Sequence, residues 1–293
     1  MSTPVVVGVD GSPSSLEAVE AAAREARLRR CGLKVVHAFL WPGMHPPGPS
    51  PMGPVGGGLH SMVKQLLAEA VERAHAPAPE VEVTKTVVSG EPLSALEVQS
   101  RMAALIVIGS RGLGGFTGLL LGSTAVHLAA HARCPVMVVR ERPHPAERIV
   151  LGVDGSPAGE AAVEFAFAEA ALRSTELTAL HAGTPGTAQA PPPQDPGMPY
   201  AYEAGMLADL EERVVAGATA GHREKYPGVS VEYVVVRGGA RECLIEASRR
   251  AELLVVGARG RGGFTGLMLG STSQALLHHA HCPVTVVRGA DGH

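Results

Sequence analysis

This chain of 293 residues is written twice. VVVGVDGSPSS at 5–15 returns as IVLGVDGSPAG at 149–159, and CPVMVVR at 134–140 returns as CPVTVVR at 282–288. LKVVHAF at 33–39 answers ELTALHAG at 176–183. The fullest echo is GSRGLGGFTGLLLGST (109–124) against GARGRGGFTGLMLGST (257–272). A duplication of that extent restricts the chain to two copies of one small domain, since each copy carries the same signals in the same order. Between the copies ERPHPAER (141–148) is polar and proline-bearing, the composition of a short linker. The expected domains are therefore 1–142 and 147–293, each near the commonest domain size and able to bury its own core.

Within the first copy, strand and helix patterns alternate. An unbroken apolar run at 5–9, closed by Asp-Gly-Ser-Pro, has the character of a strand covered on both faces. Leu16, Val19, Ala22, Ala23 and Ala26 then line one side of a helix that either Ser14 or Ser15 can cap. Further strands are expected at 33–39, 81–88, 105–108 and 135–139, with helices at 59–76, 92–102 and 123–132. The second copy repeats this order. Such alternation predicts a parallel sheet with helices on both faces. The expected class is α/β, with two tandem doubly wound five-stranded parallel-sheet domains of Rossmann-like type. Pro/Gly-rich stretches at 41–58 and 183–199 interrupt the copies after the second strand. Their composition packs no element, and they leave the carboxyl edge where open α/β sheets bind ligands. They read as solvated insertions or as covers over that edge.

Composition removes several function classes. A formal net charge of −3 supplies no basic field for nucleic acid. No apolar run reaches the roughly 18–20 residues of a membrane helix, and MSTPVVVGVD carries no basic-then-apolar leader pattern. No membrane or nucleic-acid partner is expected. The four cysteines include no C-x-x-C; Cys134 and Cys282 match across the repeat, Cys31 and Cys243 do not. Reduced, buried thiols in a cytoplasmic protein are the expectation. His127, His131 and Cys134 have a ligand-like spacing, but His127 matches Ala275 in the second copy, which disfavours zinc.

The doubled glycine phrase carries the chemistry. A glycine-rich segment between a strand and a helix brings bare N–H groups against phosphate oxygens. Gly109 and Gly257 end a strand, where a missing side chain lets a ligand approach the backbone. Gly112 and Gly260 are expected at positive φ, turning N–H groups inward. Gly122, Ser123 and Thr124, like Gly270, Ser271 and Thr272, open a helix whose unpaired N–H groups and dipole favour an anion. Arg111 and Arg259 lie inside the loop as phosphate donors or as solvated charges. Asp10-Gly11 and Asp154-Gly155 close the first strand on the same edge, where the carboxylate either holds a ligand or caps its own turn.

Gly, two residues, Gly, nine residues, then Gly-Ser occurs at Gly109, Gly112, Gly122 and Ser123, and again at Gly257, Gly260, Gly270 and Ser271. With Val-Asp-Gly-Ser ending the first strand twice, the chain resembles tandem universal stress proteins of the ATP-binding type. The resemblance covers nearly all of both halves apart from the Pro-rich stretches. It implies ATP as cofactor, with or without Mg2+, and one adenine-nucleotide site per repeat. It places Asp10 and Asp154 at the nucleoside, and Ala38 and Ala182 beside the adenine. His37 and His181, one residue earlier, read as core groups rather than catalysts. The family's usual Asp before the fourth strand is Ala104 here and Glu252 in the second half, which touches only a local helix–strand contact.

No Gly-Lys-Ser/Thr occurs, no lysine stands near either loop, and no repeated carboxylate–histidine cluster is present to position water or cage magnesium. No catalytic residue and no metal ligand are therefore assigned. The resemblance implies a stress-response regulator acting through nucleotide-dependent conformation or an unknown protein partner. A slow ATP hydrolase or nucleotidyl-transfer enzyme on the same fold, and a nucleotide-free scaffold, remain as alternatives. It also implies antiparallel pairing of the last strands (135–139 and 283–287) as an intrachain pseudo-dimer, and association of two chains as a homodimer.

Overall fold

A computed structural model describes residues 2–39, 56–112, 121–140, 148–183, 204–261 and 268–289, with backbone alone at 56–59 and 204–210. Of the expected linker (141–148) and Pro-rich stretches (41–58 and 183–199), residues 141–147, 41–55 and 184–199 lie outside the described residues; Gly56–Gly58 open a helix, Gly183 ends a strand and Arg148 starts one. Two compact units divide the chain, Met1–Arg140 and Glu141–His293.

The first unit runs β1 (Val5–Gly8), α1 (Pro13–Arg29), β2 (Leu33–Phe39), α2 (Gly56–His75), β3 (Val83–Ser89), α3 (Pro92–Ser100), β4 (Leu105–Gly109), α4 (Ser123–His131) and β5 (Val136–Val139). Its five strands are parallel in the order β3-β2-β1-β4-β5. The chain builds outward on one side of β1 and then crosses to the other. That makes the crevice between the carboxyl ends of β1 and β4 the switch point of the sheet.

The second unit repeats the plan. It comprises β6 (Arg148–Gly152), a 3-10 turn (Pro157–Gly159), α5 (Glu160–Arg173), β7 (Glu176–Gly183), α6 (Ala204–Lys225), β8 (Val231–Arg237), α7 (Ala240–Ala247), β9 (Leu253–Gly257), α8 (Ser271–His279) and β10 (Val284–Val287). Its order is β8-β7-β6-β9-β10, again parallel.

Burial follows the patterning. Val5, Val7, Leu105, Ile106 and Val107 are inaccessible, as a central strand covered on both faces requires, while β3 alternates along its length at the sheet edge. All five residues predicted for the buried side of α1 are buried, and four of them are alanine or valine, which lets the helix sit close on β1 and β4.

The cap of α1 is neither Ser14 nor Ser15. Pro13 occupies the first helical position, whose N–H would be unpaired anyway, so the capping residue is the one before it. Ser12 Oγ accepts the N–H of Ser15 at 3.2 Å. The second unit has Ala158 and Gly159 where the first has Ser14 and Ser15. There no side chain caps the turn, and the helix enters through the 3-10 segment.

All four cysteines are free thiols, but only Cys282 is buried; Cys31, Cys134 and Cys243 are half-buried. Desolvation pushes the Cys134 thiol up to about 12, opposed by a hydrogen bond to the Ile106 backbone. His127 lies 3.3 Å from Glu97, and His131 Nδ1 donates to the His127 carbonyl. No group of three or more metal-binding side chains comes together among the described residues. Glu252 accepts from Arg173 at 2.6 Å, so the second unit retains a helix–strand ion pair that Ala104 cannot make. No described helix is long and apolar enough to cross a membrane.

Candidate functional site

The turn after the first strand is built from its own side chains. Asp10 Oδ1 accepts the N–H of Ser12 at 2.9 Å and its O–H at 2.7 Å. Asp154 accepts the same pair from Ser156 at the same distances. Between them Gly11 and Gly155 adopt φ of 91° and 69°, which side-chain-bearing residues rarely enter. A Cβ there would also strike the helix lying over the turn, at Leu66 in the first unit (2.8 Å) and Val214 in the second (2.6 Å).

The local-cap role of the aspartates is thus present, and it leaves the second carboxylate oxygen turned toward the glycine phrase. Asp10 Oδ2 would lie 2.5 Å from a Cβ on Gly112, and Asp154 Oδ2 stands in the same relation to Gly260. Asp154 Oδ2 also accepts the Arg261 N–H at 2.7 Å.

One expectation changes here. Gly112 and Gly260 are absent from the positive-φ glycines. They are glycine because a carboxylate occupies the space of their side chain. At Gly109 the side-chain direction is taken by α1, since a Cβ would run into the Ser14 carbonyl at 2.6 Å. The contact is reinforced by the Arg111 N–H, which donates to Ser14 Oγ, and by the Arg111 carbonyl, which accepts from Ser12 Oγ, both at 3.3 Å. The strand-β4 exit and the α1 entrance are stapled together.

The far end of the phrase is pinned as well. The Gly122 N–H donates to the Ser110 carbonyl at 2.9 Å, and the Gly270 N–H to the Ala258 carbonyl at 2.7 Å. Gly122 and Gly270 are the extended N-cap residues of α4 and α8, and no side chain caps either helix. Both helix starts, Ser123-Thr124 and Ser271-Thr272, therefore present their first-turn N–H groups without a side-chain oxygen over them. Residues 113–120 and 262–267 of the phrase lie outside the described residues.

In the first unit these pieces surround a cavity of about 370 Å³ at the switch point. Asp10, Ala38, Gly109, Arg111, Gly112, Gly122, Ser123 and Thr124 line it, eight of the residues singled out from sequence; Gly11 does not. The remaining lining was missed, chiefly the apolar side chains of Val36, Pro92, Leu96 and Ile108, and Ser15. The repeat held a signal for part of it. A Cβ on Gly8 would meet Leu96 at 2.8 Å, and one on Gly152 would meet Leu244 at 3.1 Å, so each first strand ends under a leucine of the third helix. The second unit sets Asp154, Gly155, Ala182, Gly257, Arg259, Gly260, Gly270, Ser271 and Thr272 on the corresponding elements.

His37 and His181 serve the frame. Nδ1 of each donates to the carbonyl of Val9 (2.8 Å) and Val153 (2.7 Å), tying the end of the first strand to the second. Arg111 and Arg259 are exposed. The second unit differs at its rim: the Glu211 carboxylate of α6 presses on Gly183, where the first unit has Phe39.

A doubly wound parallel sheet with a glycine phrase between its fourth strand and last helix is the fold of each unit. Residues 1–140 and 145–288 each match the universal stress protein family, and the chain belongs to that family as a tandem member. A universal stress protein of Mycobacterium tuberculosis is 37% identical over 311 residues, covering 97% of this chain and 94% of the relative. One from Mycolicibacterium smegmatis is 36% identical over 300 residues, covering 97% and 96%. Among solved structures, a universal stress protein from Archaeoglobus fulgidus matches with a TM-score of 0.71 at 20% identity, covering 98% of this chain and 99% of that one, which shows the shared fold.

Proposed function

We propose that each half binds an adenine nucleotide, ATP being the expected ligand, and that the chain acts as a nucleotide-dependent regulator rather than a catalyst. The observation that carries this reading is the mixed lining of the first unit's cavity. The apolar residues Val36, Ala38, Pro92, Leu96 and Ile108 suit a base, and the start of α4 at Ser123 and Thr124 supplies N–H groups to the same cavity. A volume of about 370 Å³ lies within the ordinary range for small-molecule pockets. Asp10 also lines the cavity, with one oxygen held by Ser12 and the other directed at Gly112, and is the group expected to meet the nucleoside.

The donor set favours binding over turnover. It consists of main-chain N–H groups, the hydroxyls of Ser123 and Thr124 and an exposed guanidinium, while the lining carboxylate, Asp10, is engaged by Ser12 rather than paired with a histidine or lysine. Magnesium would arrive as the counter-ion of the nucleotide, since no cluster of metal-binding side chains occurs among the described residues. The test is mass spectrometry of the purified protein for co-purifying nucleotide, followed by calorimetric titration with ATP. ATP should titrate, with turnover far below the enzyme median of about 10 per second. No heat at millimolar ATP would remove the binding reading, and median turnover would remove the regulatory one.

A further inference from the structure

The two sites are not copies at one position of the glycine phrase. After Gly112 the first half has Leu113, which lies outside the described residues; after Gly260 the second half has Arg261. Arg261 does not trail from a loose loop. Its N–H donates to Asp154 Oδ2 at 2.7 Å, which fixes its backbone against the turn after β6. Its guanidinium lies along Gly155, with Nη2 2.7 Å from where a Cβ would stand. Gly155 is at φ 69°, so the turn presents bare backbone there and the side chain rests on it. Arg261 is exposed and forms no ion pair among the described residues. The backbone of a planar cation is thereby anchored one residue from Gly260, with its guanidinium exposed beside Gly155.

We propose that Arg261 makes the second-half site prefer polyphosphate over monophosphate nucleotides, a preference the first-half site lacks. The inference rests on the nucleotide reading above. One phosphate is served by the N–H groups at the start of α8, which every nucleotide phosphate can use. Additional phosphates carry additional charge beyond that seat, and a guanidinium anchored by its backbone answers them with paired, charge-assisted donors. Leucine offers neither charge nor donor. The tandem chain then holds one site responsive to nucleotide occupancy and another responsive to phosphorylation state.

The experiment uses the full chain carrying Gly112→Val, in magnesium-free buffer at low salt, titrated calorimetrically with ATP and with AMP. Arg261→Leu should weaken ATP binding about tenfold and AMP binding by less than about twofold, and the ATP loss should shrink as salt is raised. Arg261→Lys, which keeps the charge, should restore part of the ATP affinity. The same comparison in the otherwise native chain, fitted as two sites, covers the case in which Gly112→Val disturbs the first unit. Equal loss for both nucleotides, or no loss, overturns the inference while leaving nucleotide binding standing. If the native chain binds neither nucleotide, the reading beneath it fails and the inference fails with it.

Discussion

Glu164 gathers three partners that its sequence neighbours do not announce. Tyr226 donates its O–H at 2.8 Å, His222 Nδ1 lies at 2.8 Å, and the Lys225 ammonium completes the set. Rings of His222 and Tyr226 rest against the inaccessible Phe167, so the end of α6 is tied to α5. Burial works against the charged carboxylate, but the hydrogen bonds from Lys225, Tyr226 and His222 together with the Lys225 charge hold it below its ordinary value of 4.5. A carboxyl group lowered on folding contributes stability above its unfolded value and loses it as pH falls through the folded one. Acid should therefore erode stability below about pH 4.5, and Glu164→Gln should remove that part of the pH dependence. Melting temperatures from pH 3 to 7 check this, and parallel curves for the two proteins would contradict it. The glycine phrase shows the same limit on reading residues from sequence. Its glycines are legible as glycines, but the reason for Gly112 is the Asp10 carboxylate, roughly a hundred residues away along the chain. Only the folded sheet brings the two together.

Strands and helices were the most legible level, because hydrophobic period and turn chemistry are local. β2 lies at 33–39 as expected, and the other ends of the first copy shift by only a few residues. What escaped was how α1 and α5 start and stop. Ser12 caps α1 because proline follows it, a rule readable in the sequence. The 3-10 entry to α5 has no such sign in the sequence, since Ser156-Pro157 repeats Ser12-Pro13. At their other ends α1 and α5 terminate on Arg30 and Ser174, at φ 51° and 52°, where glycine is the usual occupant. Each N–H returns to carbonyls of the last turn, so the cap closes despite the strain. Arg30→Gly and Ser174→Gly should each stabilise the chain by up to about 1 kcal/mol, the relief of the left-handed backbone exceeding the added freedom of the unfolded chain. Urea midpoints measure it. A fall in midpoint for both would mean that side-chain contacts at these caps outweigh the backbone term.

For the whole molecule the duplication is the constraint with the widest reach. Two units with the same strand order carry the same Asp–Gly contact, at Asp10–Gly112 and at Asp154–Gly260, and the same closure of the phrase at Gly122 and Gly270. Everything at the level of the repeat could be read from either copy. Where the copies depart, at Ser15 and Gly159, Leu113 and Arg261, Phe39 and Gly183, pattern matching is silent and the surroundings must be seen. If both copies bind nucleotide, titration of the native chain should give two ligands per chain. Gly112→Val and Gly260→Val should each bring that to one, because the added side chain meets the aspartate and fills the crevice. The double variant should bind none. Ligand at about 100 times its dissociation constant stabilises a binding unit by about 2.7 kcal/mol. In each single variant, only the intact unit should gain that protection, seen as a thermal transition that splits on adding ATP. A stoichiometry of two that survives in the double variant would place the ligands away from the glycine phrase. A single ligand in the native chain, lost with only one of the two substitutions, would mean that one copy has kept the fold and given up the site.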